Sequence, residues 1–296
     1  MTHEEIFSEY RNLLFTIAYN MMGVVEDAED LVQETFIKWN AVNIDEIKTP
    51  KAFLVKIITN LSINQLKTAR KAREDYIGLW LPEPLMKEKQ LDSSNAVDLY
   101  YSLSIGMMVL LEKLTPSERA VFLLKEVFSY DYTEISGITG KSEDNCRQIF
   151  NRAKKHLGGK EQRFKVDIRM HEKLLQQFLS AVKKGDMEGL FSIFKEDIEL
   201  IADGGGKSTS FGSQKFSVGR KPIIGKNNVS KFILNITEKV NSNVPNVSNK
   251  IVYANGVPSV VTSSNDVPVC LMSLEIVDDK ISNIFVQTNT DKIKKI

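Results

Sequence analysis

The stretch TPSERAVFLLKEVFSYDYTEISGITGKSEDNCRQIFNRAKKHL, residues 115–157, decides how the rest of the chain is read. Thr115, Pro116 and Glu118 supply an N-cap, a first-turn proline and a capping-box acid, so a helix is predicted through Ala120, Val121, Leu123, Leu124 and Val127. A second, short helix covers Tyr132 to Thr139 with Ile135 and Ile138 inward, and Gly140 is placed to end it in the left-handed conformation. Ser142 caps a third helix, where Cys146, Ile149, Phe150, Ala153 and Leu157 recur at spacings of three and four. Two helices, a tight turn and a longer basic helix make a helix-turn-helix.

The third helix leaves Asn145, Arg147, Gln148, Asn151, Arg152 and Lys155 off its apolar stripe. An ordinary solvated face would look similar, but these residue types favour a groove. Arginine grips guanine edges with two bonds, Asn and Gln match adenine, and Arg152, Lys154 and Lys155 can meet phosphates. Tyr132, Glu134-Ile135, Gly140 and Arg152-Ala153-Lys154-Lys155 also resemble the DNA-reading fourth region of extracytoplasmic-function (ECF) sigma factors. That resemblance implies contacts to an upstream promoter element from Ser142, Asn145, Arg147, Gln148, Asn151, Arg152 and Lys155.

Working outward, 296 residues leave room for two or three domains, and 42% hydrophobic with 26% charged residues is ordinary for a soluble globular protein. A net charge of +1 hides opposite patches, with acids crowding Glu26 to Glu34 and basic runs at Lys67 to Arg73 and Arg147 to Lys155. Cys146 and Cys270 lie far apart and no zinc-type spacing occurs, so neither a metal nor another cofactor is expected. Without a membrane-length apolar run or a leader, the cytoplasm is the expected location.

Toward the N-terminus, Ile6 to Met22 is predicted as a packing helix ended by Gly23. The next, Asp27 to Asn40, turns Ala28, Leu31, Val32, Thr35, Phe36 and Trp39 inward. A first turn of Asp27, Glu29 and Asp30 suits any helix dipole, but Glu34 lies beyond it. The run Asp27-Ala-Glu-Asp-Leu-Val-Gln-Glu-Thr-Phe36 resembles the polymerase-binding helix of region two in ECF sigma factors. By that resemblance Asp27, Asp30, Gln33 and Glu34 face core RNA polymerase, with Leu31 near the seam.

Pro50 begins a third helix with apolar Phe53, Leu54, Ile57, Ile58, Leu61 and Leu66, running into the basic stretch Lys67 to Arg73. Asn60 and Asn64 cost helix propensity on its polar face, which invites a functional explanation. In the family this helix and the preceding loop, about Asn43 to Thr49, read the melted minus-ten element. The residues implied are Lys56, Asn60, Asn64, Lys67 and Arg70, with Asn60 the best matched.

Between Arg73 and Gly106 periodicity weakens, with a polar break at Asp92 to Asn95. Within this linker stands Trp80-Leu81-Pro82-Glu83-Pro84, an apolar pair stiffened by two prolines that should dock somewhere. It resembles the motif of ECF sigma factors that carry a C-terminal SnoaL-like domain. After Gly158-Gly159, a helix at Arg169 to Lys184, a strand at Ile198 to Ala202, a helix at about Lys226 to Ile236 and strands from Lys250 to Gln287 suggest an α+β roll. The loop Asp203-Gly204-Gly205-Gly206-Lys207 and the tail Asn289-Thr290-Asp291-Lys292-Ile293 also match that group, although Thr290 stands where the family has proline.

The predicted organisation is therefore multidomain. Residues 1–73 form region two, 74–106 a linker, 107–158 the region-four helix-turn-helix, 159–168 a second linker, and 169–296 a SnoaL-like regulatory roll with its tail. The resemblance implies a promoter-specific sigma factor that binds core RNA polymerase and promoter DNA, not an enzyme and not at a membrane. Trp80 to Pro84, Asp203 to Lys207, and Asn289, Asp291 and Lys292 would act as regulatory contacts that meet. Two rivals stay open: a helix-turn-helix regulator with a ligand-sensing roll, and a SnoaL-type cyclase or isomerase on a DNA-binding segment. A small-molecule ligand of the roll is left open as well.

Overall fold

The computed structural model describes residues 2–76, 78–86, 103–158, 167–205, 209–211, 214–216, 221–293 and 296. The polar break at Asp92 to Asn95, most of the second linker, and Gly206 and Lys207 lie outside the described residues. The described residues form two compact units, one of 2–74, 103 and 107–158, the other of 75–86, 104–106 and 167–296. Among them no helix is long and apolar enough to cross a membrane.

The first unit is all α. Helix α1 (His3–Met22) begins on a Thr2–Glu5 capping box and ends at left-handed Gly23, while α2 (Val25–Asn40) starts two residues before the predicted Asp27. Helix α3 (Pro50–Glu74) buries Leu54, Val55, Ile58, Ile63 and Leu66 together with Thr59 and Ser62. Ser62 donates to the Ile58 carbonyl at 2.7 Å, which makes a buried hydroxyl tolerable and widens the buried face beyond the predicted stripe.

After α4 (Ile105–Leu111), the helix-turn-helix is built from α5 (Pro116–Phe122), α6 (Tyr132–Thr139) and α7 (Glu143–Leu157). Helix α5 passes into a wider π turn at Leu123–Val127, so the single helix expected to Val127 changes pitch halfway. Capping boxes at Thr115–Glu118 and Asp131–Glu134, and left-handed Gly140 (φ 68°), fix the corners.

The second unit is an α+β roll. Helices α8 (Ile168–Lys184), α9 (Met187–Ile193) and α10 (Lys226–Asn243) lie on a sheet of β1 (Phe194–Asp203), β4 (Ile223–Ile224), β5 (Val247–Ala254), β6 (Val257–Ser264), β7 (Val267–Val277) and β8 (Lys280–Gln287). Its order is β4-β1-β8-β7-β6-β5, with β1 and β8 parallel and the other pairs antiparallel. A separate hairpin, β2 (Thr209–Phe211) with β3 (Gln214–Phe216), was not anticipated. Asn255-Gly256 and Asp278-Asp279 turn the hairpins with both residues at positive φ, as two-residue turns require.

Alternation along the strands divides the two faces of the sheet. Leu200, Val260, Leu274 and Ile284 pack with Leu174, Leu175 and Phe178 beneath the helices. Ala254, Val261 and Leu271 pack with Met86 from the linker and Ile293 of the terminal turn α11 (Thr290–Ile293). Linker and tail thus cover the face that the helices leave bare.

Candidate functional site

On α7 the apolar stripe Cys146, Ile149, Phe150, Ala153 and Leu157 is buried, and Ser142, Asn145, Arg147, Gln148, Asn151, Arg152 and Lys155 are all exposed. Arg147 sits 4.4 Å from the Tyr132 ring centre and 3.2 Å from Glu143, which holds its guanidinium over the N-terminal end of α6. Arg152 is 61% exposed and only distantly paired with Glu118, at 3.9 Å. The face is polar, basic toward its C-terminal end, and open.

On α2, Asp30, Gln33 and Glu34 are exposed, Asp27 is half-buried and Leu31 is only 4% exposed. Burial raises the Asp27 carboxyl above its ordinary range, with Arg73 opposing. Because Leu31 is packed into the core, it presents no side chain at the surface. The residue missed by sequence reasoning is Ile37, 68% exposed and, among the described residues, the one large exposed hydrophobic of the first unit. It lies three residues from Glu34 and seven from Asp30, so it shares their stripe; that spacing could have marked it.

On α3, Lys56, Asn64 and Lys67 are exposed, whereas Asn60 and Arg70 are partly covered. Asn60 Nδ2 donates to the carbonyls of Lys56 at 2.8 Å and Ile138 at 2.9 Å, tying α3 to the end of α6. Arg70 donates to the Glu112 and Leu114 carbonyls, and Arg73 pairs with the Glu112 carboxylate at 2.9 Å. Arg119, fully buried, donates to the Asn20 carbonyl at 3.0 Å and pairs with Glu112. Burial alone would raise the Glu112 carboxyl, but Arg119 and Arg73 outweigh it and hold it below the usual range.

In the roll, linker, loop and tail converge on Asp203, which is 0% exposed. Oδ1 accepts from Tyr76 Oη at 2.5 Å and Gly205 N–H at 2.9 Å; Oδ2 accepts from Leu81 N–H at 2.9 Å and Lys292 Nζ at 2.7 Å. Burial and the bond to Asp203 push the Tyr76 phenol above its ordinary value. Asn289 Nδ2 donates to Tyr76 Oη at 3.0 Å, and its side-chain oxygen accepts from the N–H of exposed Asp291 at 3.0 Å.

Gly204 is half-buried beside this junction. A Cβ on Gly205, whose φ is 63°, would lie 2.7 Å from Asn289 Nδ2, so loop and tail meet only because this residue is glycine. Leu81, Pro82, Glu83 and Pro84 are buried and Trp80 half-buried. Gln287 donates to the Pro82 carbonyl at 3.2 Å, and a cavity of about 10 Å³ left between Pro82, Leu271 and Phe285 is room for roughly one water.

The Sigma-70 region 2 family matches residues 6–72 and the Sigma-70, region 4 family matches residues 106–157. The ECF RNA polymerase sigma factor SigJ of Mycobacterium tuberculosis (strain ATCC 25618 / H37Rv) is 29% identical over 237 residues, 79% of this chain and 72% of that protein. The ECF RNA polymerase sigma factor SigW of Bacillus subtilis (strain 168) is 31% identical over 146 residues, 45% of this chain and 75% of that protein. The crystal structure of the Mycobacterium tuberculosis extracytoplasmic function sigma factor SigJ shares the fold at a TM-score of 0.76 and 24% identity, covering 97% of this chain and 98% of that one.

Proposed function

The chain belongs to the ECF RNA polymerase sigma factors, and from that premise we propose which of its surfaces do the work and how the roll controls them. It directs promoter-specific initiation bound to core polymerase through its two sigma regions. Helix α2 is the core-docking face: Asp30, Gln33 and Glu34 meet a basic surface while Ile37 supplies the apolar contact that buried Leu31 cannot. Helix α7 enters the major groove of the upstream element with Asn145, Arg147, Gln148 and Asn151 toward the bases. Arg152 and Lys155 meet phosphates.

Asn60, Arg70 and their neighbours hold the melted minus-ten strand. Two of these groups are engaged, Asn60 with the Ile138 carbonyl of α6 and Arg70 with the Glu112 and Leu114 carbonyls between α4 and α5, so strand capture requires α3 to part from both. The described arrangement is thus a closed one, and opening it exchanges protein partners for DNA.

The roll regulates in cis and is not an enzyme. The observation that carries this is the convergence at Asp203, where the one prominent acid of the glycine loop is fully hydrogen-bonded to linker and tail and has no free oxygen for proton transfer. With the sigma role and a chain that offers no membrane-spanning helix among its described residues, the place of action is the cytoplasm. Deleting residues 289–296 and deleting residues 169–296 should change promoter-dependent transcription by different amounts. Equal transcription by both truncations and the full chain at matched protein levels would end the regulatory reading.

A further inference from the structure

The junction at Asp203 has the composition of an ammonium receptor. Lys292 Nζ lies 2.7 Å from Asp203 Oδ2 and 2.5 Å from the Leu81 carbonyl, and sits 4.6 Å from the Trp80 ring centre and 5.2 Å from that of Tyr76. A buried carboxylate, a carbonyl and two aromatic faces are the groups that replace water around a primary ammonium ion. Its side chain keeps only 11% of its surface exposed and the Asp203 side chain none, so the pair is desolvated.

The receptor and its guest come from different segments. Tyr76, Trp80 and Leu81 belong to the linker and Asp203 to the end of β1, whereas Lys292 arrives on α11, near the end of the chain. Among the described residues, the tail is also held by Ile293 in its apolar seat and by Asn289 against Tyr76. The carboxylate, the carbonyl and both rings of the receptor thus come from linker and sheet, and the tail adds to it the guest lysine and the Asn289 bond to Tyr76.

We propose that this cage is a competable binding site for primary alkylammonium ions, filled in this chain by its own lysine. A soluble amine that takes the cage displaces Lys292 and frees the tail, so the roll reads the concentration of such amines. A tethered lysine competes at an effective concentration on the order of millimolar, which sets the range in which a free amine acts. An arginine in place of Lys292 would fit less well, because a planar fork does not match a compact receptor built for a point charge.

The proposal concerns binding alone and stands or falls separately from the polymerase reading. The probe is n-butylammonium chloride, which reproduces the lysine stem, against sodium chloride at equal ionic strength. Tryptophan fluorescence and melting temperature are followed in the full chain and in Lys292→Ala. Expected is a saturable response to butylammonium in Lys292→Ala, with at least tenfold weaker apparent affinity in the full chain, where the native lysine must be displaced. It should vanish in Lys292→Ala carrying Asp203→Asn. Should that pair fail to fold by circular dichroism, Lys292→Ala with Trp80→Leu serves, where affinity should drop at least tenfold in the melting-temperature readout. No saturable response in Lys292→Ala, or one unchanged by the second substitution, overturns the proposal.

Discussion

On α7 the polar side chains Asn145, Gln148, Asn151 and Lys155 stand in solvent, whereas around Asp203 each carboxylate oxygen already accepts two protein donors. Both clusters were singled out from sequence as functional, yet they differ in what they leave available. An exposed polar stripe on a well-capped helix is free to exchange water for a partner at little cost to folding. A buried, satisfied node is part of the fold, and changing it costs stability first. Asn60 stands between these extremes, with its amide bound to a carbonyl 78 residues away in the chain yet only partly buried.

That contrast can be broken most forcefully on α2. Asp30→Arg with Glu34→Arg should lower core polymerase affinity at least a hundredfold in a pull-down or anisotropy titration, while stability changes by no more than about 0.5 kcal/mol because both side chains are exposed. Unimpaired binding would remove α2 from the docking face. Ile37→Ala alone should weaken binding less, and a variant that binds as the wild type does would leave the face purely polar.

At the buried node the order of effects reverses. Asp203→Ala strands the Leu81 N–H, the Tyr76 hydroxyl and the Lys292 ammonium, so the roll should lose about 3 kcal/mol or more in denaturant unfolding. A loss below about 1 kcal/mol would show that the node contributes little to the fold. Arg147→Ala and Arg152→Ala should leave unfolding nearly unchanged and cost about 1 to 3 kcal/mol in upstream-element recognition, read as promoter selectivity. Unaltered selectivity in both would reassign the exposed face of α7.

The smallest effect is one of pH. His171 is buried with Nε2 2.9 Å from the Leu274 carbonyl, and burial outweighs that contact and Asp167 to lower its pKa from 6.5. The unfolded chain therefore takes up the proton first. This contribution to stability is complete above about pH 6.5 and is lost as pH falls through the folded-state value. The melting temperature should drop modestly on acidification below that point, and His171→Leu should flatten the dependence; an identical profile in the variant would place the titration elsewhere.

The helix-turn-helix was legible because its signals are local: Thr115 and Asp131 capping boxes, left-handed Gly140, and one apolar stripe on α7 that needs no distant partner to be recognised. The hairpin turns at Asn255-Gly256 and Asp278-Asp279 are local as well. What sequence did not disclose depends on pairing across long separations. The parallel register of β1 with β8 joins residues some 84 apart, as Leu200 with Ile284, and no periodicity within β1 encodes it.

Burial of Arg119 escaped notice because a lone arginine in an α5 pattern reads as surface until Glu112 and the Asn20 carbonyl are seen beside it. Thr290 in place of the family's proline removes a ring that would stiffen the tail. Asn289 instead caps a helical turn: its side-chain Oδ1 accepts from the Asp291 N–H and its backbone carbonyl from the Lys292 and Ile293 N–H groups, so side-chain capping replaces ring stiffness.

The most direct measurement is binding of genomic DNA fragments by the purified full chain with and without core RNA polymerase, followed by sequencing of what is retained. A sigma factor whose proposed minus-ten residues Asn60 and Arg70 are engaged by the Ile138, Glu112 and Leu114 carbonyls should select promoter fragments only when core is present. Selective, tight binding by the chain alone, unchanged when core is added, would contradict that and return the protein to the ordinary helix-turn-helix regulators.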